Sequence, residues 1–130
     1  MQILIDTSVL IDVLRLRYGR RELLAQLARN GHVLAVCPIN ITELFAGMRS
    51  HQEARTEALL GGFHCFEITG ATGRLAGTLK NSWARKGIAL ALSDSTIAAV
   101  AIERSCVLMT DNVKHFPMDN LQLYSLPPKQ

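Results

Sequence analysis

A three-layer α/β/α sandwich around a mostly parallel central sheet is the fold class this sequence predicts. Three observations lead there. Short apolar runs (QILI, HVLAVC, SCVLMT) alternate with segments of helical periodicity, and Gly, Pro and Asn stops separate them. Four acids, Asp6, Glu43, Asp94 and Asp111, sit where apolar runs end. Strands that alternate with helices build parallel sheets, and such sheets bind ligands outside the carboxyl ends of their strands, where the strand order reverses.

Taken in order, residues 2–5 (QILI) predict a first strand. Thr7 or Ser8 is a candidate cap for a helix through SVLIDVLRL, interrupted near Gly19. Residues 20–30 (RRELLAQLARN) carry Leu23, Leu24 and Leu27 at helical spacing, and Asn30-Gly31 ends them. HVLAVC, rich in β-branched residues and bounded by Pro38, is the second strand. Pro38 suits the first turn of a helix over INITELFAGM, which puts Glu43 about a turn and a half inside it. Ser50 and Glu53 form a capping-box pattern for a helix to about Leu60, where Gly61-Gly62 breaks the chain. FHCFEI predicts a third strand and residues 71–86 a helix that ends at Gly87, with Gly70 and Gly73 marking its entry. Ser93 as N-cap with Asp94 in the first turn predicts a helix to about Arg104, followed by SCVLMT as a buried strand, a turn at Asp111-Asn112 and a last strand in LQLYSL.

The 130 residues fit a single domain spanning 1–130. Asp6 and Asp12 fall inside the only stretch resembling a signal-peptide core, and no window approaches 18 apolar residues, so neither secretion nor a membrane span is expected; a cytoplasmic protein is. Cys37, Cys65 and Cys106 form no CxxC and lie in apolar runs, which predicts three buried thiols rather than a disulfide framework or a zinc site. Net charge is +3; without the four acids named above, 7 of the 11 acidic residues face 14 basic ones, a balance that favours an anionic partner.

Carboxylates beside apolar runs are costly unless solvated, hydrogen-bonded or paired with a cation. Each of the four has an ordinary explanation as well: a helix cap for Asp6, dipole stabilisation for Asp94, turn formation for Asp111, a solvated helix face for Glu43. Their combination points instead to one divalent metal. Magnesium prefers carboxylate and water oxygens and keeps several waters, so two or three direct carboxylates suffice.

LIDTSVLID, PINITELFAG, LSDSTIAAVA and LMTDNVKHF, spanning residues 3 to 116, together resemble the PIN domain family, in particular its VapC-like toxin branch. The resemblance implies an endoribonuclease that uses a carboxylate cluster to hold Mg2+ or Mn2+ and leaves a 5′-phosphate. Asp6, Glu43 and Asp94 match the family's three invariant acids, and Thr7 the hydroxyl residue after the first. At the fourth position Asp111 and Asn112 are adjacent, and Asp111 is favoured. Relatives often carry an acid where this chain has His115. By the same resemblance a small antitoxin would occlude the site and bind its own operon's promoter DNA, and the chain would form a homodimer.

Other features carry less. Arg15, Arg17, Arg20 and Arg21 read as a solvated face, with contact to RNA phosphates as the alternative. Trp83 reads as packing, and the four histidines as structural or surface residues, with His115 near enough to Asp111 in sequence for a supporting role. The glycosylation pattern at Asn40-Ile41-Thr42 is incidental without secretion. No glycine cradle for a nucleotide is present. A dehalogenase-like phosphatase would need a second Asp where Ser8 stands. A PIN-like module that binds RNA or protein without cutting is the non-enzymatic alternative, and the complete acidic set argues against it.

Overall fold

In the computed structural model, which describes residues 1–129, the strands β1 (Gln2–Ile5), β2 (Val33–Val36), β3 (His64–Cys65), β4 (Val107–Met109) and β5 (Gln122–Leu123) form one sheet. Every pairing is parallel and the order is β3-β2-β1-β4-β5. β1 is therefore central, with β2 and β4 as its neighbours, and the order reverses between β1 and β4.

Side chains alternate across the sheet because the strand period is two. Ile3 and Ile5 of β1, Leu34 and Val36 of β2 and Met109 of β4 face one layer, where they pack with α1 (Thr7–Leu14), α2 (Arg20–Arg29) and Leu44 of α3 (Pro38–Gly47). Leu4, Ala35 and Leu108 face the other, against α6 (Leu92–Glu103). Burial on both faces explains why these strands read as continuous apolar runs. Ile97 through Ala101 of α6 are all buried, since that helix lies between the sheet and α5 (Gly70–Arg85). Thr72 of α5 donates to Glu103 Oε1 of α6 (2.6 Å), tying the two.

The fold class and element order match the sequence expectation, with local differences that have physical causes. Asp6, not Thr7 or Ser8, holds the N-cap position of α1: its carbonyl accepts the N–H groups of Val9 and Leu10, but its carboxylate makes no capping bond. α6 begins earlier than expected because Ala91 is already extended and its carbonyl accepts the Ser95 N–H; Ser93 lies inside the first turn. The Ser50–Glu53 capping box does not form. Residues 50–52 make a 3-10 turn instead, whose entry is closed by the Arg49 N–H donating to Gln52 Oε1 (2.8 Å), and α4 (Glu53–Leu60) follows. FHCFEI is strand only at His64 and Cys65, with the Phe66 N–H continuing to the Val36 carbonyl (2.9 Å), and β3 is an edge strand with one neighbour. Among the described residues, no helix is long and apolar enough to cross a membrane.

Cys37 and Cys106 are buried, but Cys65, on that edge strand, is exposed, which corrects the expectation of three buried thiols. Burial pushes the Cys37 thiol up to about 11, and only the thiolate is nucleophilic. A maleimide added to the native protein at pH 7 should therefore modify one cysteine rapidly, identified by peptide mapping as Cys65. The other two should react only on unfolding; rapid modification of Cys37 in the native state would contradict the burial described here.

Candidate metal and nuclease site

Asp6 ends the central strand and is 4% exposed, so its charge must be met from within the protein. The β1–β4 register sets Ile5 beside Met109, and the Asp6 N–H continues the ladder to the Met109 carbonyl (2.8 Å). Thr110 is thereby brought alongside Asp6. Its hydroxyl donates to Asp6 Oδ2 (2.7 Å), and the Ser8 hydroxyl donates to the same oxygen (3.2 Å). The Asn112 N–H donates in turn to Thr110 Oγ1 (3.0 Å), fixing the rotamer of that hydroxyl. Both side-chain bonds to Asp6 fall on Oδ2, which leaves Oδ1 for a ligand.

Glu43 is reached through a relay on the β2 side. The Cys37 N–H donates to Asn40 Oδ1 (2.9 Å), Asn40 Nδ2 donates to Thr7 Oγ1 (3.1 Å), and the Thr7 hydroxyl donates to Glu43 Oε1 (2.7 Å). Asn40 is fully buried, so the glycosylation pattern at this position cannot be a modification site. One face of α3 thus both caps the helix entry and aims the carboxylate one turn further along.

Asp94 sits in the first turn of α6, where a negative charge is stabilised by the helix dipole. Burial nevertheless raises its carboxyl above the ordinary value of 3.8; His115 pulls it down and the Asp6 charge pushes it up. His115 Nδ1 lies 3.3 Å from Asp94 Oδ2. The supporting role that sequence position hinted at is therefore directed at Asp94 and not at Asp111.

Asp111 follows Thr110, but its carboxylate is turned to cations. Arg20 Nη2 lies 3.1 Å from Oδ1 and Lys129 Nζ 3.5 Å from Oδ2. Arg20 is 1% exposed, which corrects its reading as part of a solvated basic face. The Asn112 side chain is exposed, and that residue enters the site through its backbone.

The donor set is chemically suited to a hard divalent cation. Asp6, Glu43 and Asp94 offer carboxylate oxygens, each carboxylate has one oxygen engaged by a hydroxyl or an imidazole, and Asp6 and Asp94 feel each other's charge. Among the described residues, no three His, Cys, Asp or Glu side chains stand close enough together to cage a metal ion by themselves. An ion that keeps several waters requires no such cage. Beside Glu43, a cleft of about 180 Å³ opens between α1, α3 and α4; Ile11, Leu14 and Met48 line it, with Arg15 and Arg55. The sequence offers Ser8 only as a helix cap and Asn40 only within a glycosylation pattern, and it gives Thr110 no role; the part all three play around the carboxylates comes from the structure.

A raised carboxyl pKa means that the folded chain holds this proton more tightly than the unfolded one. Stability contributed by Asp94 is then lost as pH rises from 3.8 through the folded value, and stays lost above it. Asp94→Asn, melted with chelator present, should therefore have a higher midpoint than the wild type at pH 7, with the difference closing near pH 3.8. A lower midpoint at pH 7 would contradict the stated balance of burial and charge.

The sequence model of the PIN domain matches residues 3–117. Ribonuclease VapC19 of Mycobacterium tuberculosis is 35% identical over 115 residues, covering 88% of this chain and 92% of that protein. Among solved structures, VapBC2 from Rickettsia felis, bound to a DNA fragment from its promoter, superposes with a TM-score of 0.85 at 21% identity, covering 98% of this chain and all of that one. A toxin–antitoxin complex from Klebsiella pneumoniae gives 0.74 at 28% identity, over 95% of this chain and 99% of that one.

Proposed function

The chain belongs to the PIN domain family, and from that membership and the chemistry of its site we propose that it is a metal-dependent endoribonuclease, the toxin of a type II toxin–antitoxin pair acting in the cytoplasm. The single observation that carries the reading is the trio Asp6, Glu43 and Asp94, whose carboxylates are held at the carboxyl edge of the sheet by hydroxyls and an imidazole. These three are the proposed ligands of Mg2+, with Mn2+ as a substitute. Asp111 is left outside this set because Arg20 pairs with its Oδ1 and Lys129 lies 3.5 Å from its Oδ2.

When bound, the ion supplies positive charge against the phosphodiester and acidifies water. The residues themselves do the positioning. Ser8 and Thr110 fix the Asp6 carboxylate, Thr7 fixes Glu43, and His115, more than half exposed, links Asp94 to solvent. Carboxylates fixed in this way would hold the ion without reorganisation as negative charge develops on the phosphoryl oxygens, which is where preorganised sites gain most of their rate. Arg15 and Arg55 beside Glu43, and the basic remainder of the chain, favour approach of an anionic strand.

The proposed partner is a small antitoxin that covers the site and binds promoter DNA, in keeping with the complexes formed by the structural neighbours. A homodimer belongs to the same reading. The apolar face of α2 offers it little, since Leu24 and Leu27 are buried in the chain's own core; exposed apolar residues such as Leu92 and Val113 are the candidates for its interface. Sedimentation should give twice the monomer mass; a strict monomer at micromolar concentration removes the dimer.

The direct test is cleavage of a long RNA. Magnesium should support internal cuts with 5′-phosphate ends, a chelator should stop them, and Asp6→Asn or Asp94→Asn should lower the rate at least about 100-fold, in line with the loss of an electrostatic contributor to catalysis. Intact RNA across magnesium and manganese titrations, or full activity of Asp94→Asn, would overturn the reading.

A further inference from the structure

We propose that Arg20 is a positioning residue of this site: with Asp111, Asp12 and the more exposed Lys129 it forms a latch of two cations and two carboxylates that sets where Ser8 and Thr110 hold Asp6. The proposal rests on the reading of Asp6 as an ion ligand.

The latch is built from residues far apart in sequence. Arg20 opens α2, yet it is among the most deeply buried side chains of the protein. Its Nη2 donates to Asp111 Oδ1 (3.1 Å), and Nη1 and Nη2 both donate to the Pro127 carbonyl (3.2 Å each). Lys129 Nζ lies 3.2 Å from Asp12 Oδ2 and 3.5 Å from Asp111 Oδ2. Two cations thus meet two carboxylates. The Tyr18 ring backs both cations, 4.6 Å from Lys129 Nζ and 6.0 Å from the Arg20 guanidinium carbon. The link that delivers Tyr18 and Arg20 holds Leu16 (φ 55) and Tyr18 (φ 56) in the left-handed region, a conformation that bulky residues keep only where surrounding contacts impose it.

From the latch, a short path leads to the site. The Asp111 N–H donates to Ser8 Oγ (3.3 Å) and Ser8 donates to Asp6 Oδ2, while Thr110, the residue before Asp111, donates to the same oxygen. Holding Asp111 holds both hydroxyls. Drawing Asp111 away to an ion would leave Arg20 buried with its charge unmatched, which is strongly unfavourable.

The latch and a ligand role for Asp111 predict opposite signs for one substitution. If Asp111 is a ligand, removing Arg20 frees its carboxylate and tightens ion binding. If it is an anchor, removing Arg20 loosens the turn and weakens binding. Mn2+ titrations followed by electron paramagnetic resonance, on the full chain, distinguish them. Arg20→Met and Asp111→Asn should each weaken Mn2+ affinity about tenfold, as loss of a residue that orients a ligand does, and the double variant should be no weaker than either alone. Arg20→Lys should recover part of the loss. Lys129→Gln, at an exposed position that does not endanger folding, should weaken affinity in the same direction and carries the test with Arg20→Lys if Arg20→Met does not fold.

Unchanged or tighter Mn2+ binding in Arg20→Met overturns the latch, as does complete loss of binding in Asp111→Asn. A lower melting midpoint with wild-type Mn2+ affinity overturns it too, because the cluster would then serve stability alone. Asp6→Asn is the control for the underlying site: if it binds Mn2+ like the wild type, the ion site itself fails.

Discussion

Everything near the site follows from placing an aspartate at the end of the central strand, where water cannot reach it. A carboxylate as buried as Asp6 is tolerated only if hydrogen-bond donors meet it. Because β1 lies between β2 and β4, its carboxyl end receives neighbours from both sides. The β4 side delivers Thr110 through the strand register, and the β2 side delivers the relay from Cys37 through Asn40 and Thr7 to Glu43. The reversal of strand order at β1 and β4 leaves room there for α6 to present Asp94.

The electrostatics divide into an uncompensated half and a compensated one. On one side, carboxylates stand with few positive partners, and Asp94 is held above its ordinary carboxylate range by burial and by the Asp6 charge despite His115. A divalent ion would relieve that excess. On the other side, Arg20 and Lys129 already balance Asp111 and Asp12. The Thr110–Asp111 peptide joins the halves, with the Thr110 hydroxyl on the first and the Asp111 carboxylate on the second. Adjacent residues with opposite directions and opposite electrostatic needs are a natural consequence of leaving a strand.

That division also explains what the sequence could disclose. Strand cores such as QILI and SCVLMT were legible because both sheet faces are buried, and Pro38 and Asn30-Gly31 marked boundaries by backbone chemistry that is local. The position of Asp94 in a first helical turn was legible for the same reason. Arg20 was not: its burial depends on Asp111, 91 residues away, and on the Pro127 carbonyl, 107 away. Nor was the direction of the Asp111 carboxylate, since a turn residue after a strand can face either way. The exposure of Cys65 depended on β3 being an edge, which only strand order reveals. Thr110 lay in plain view beside Asp111, and the signal missed was the register that sets it against Asp6.

The central claim is that Asp6, Glu43 and Asp94 together hold a divalent ion. Anomalous diffraction from crystals soaked in Mn2+ tests it most directly. The three-carboxylate site predicts a strong anomalous peak within coordination distance of oxygens from at least two of these residues, with Asp111 still paired to Arg20. A peak centred on Asp111 with Arg20 displaced, or none at this edge of the sheet at saturating Mn2+, would contradict it.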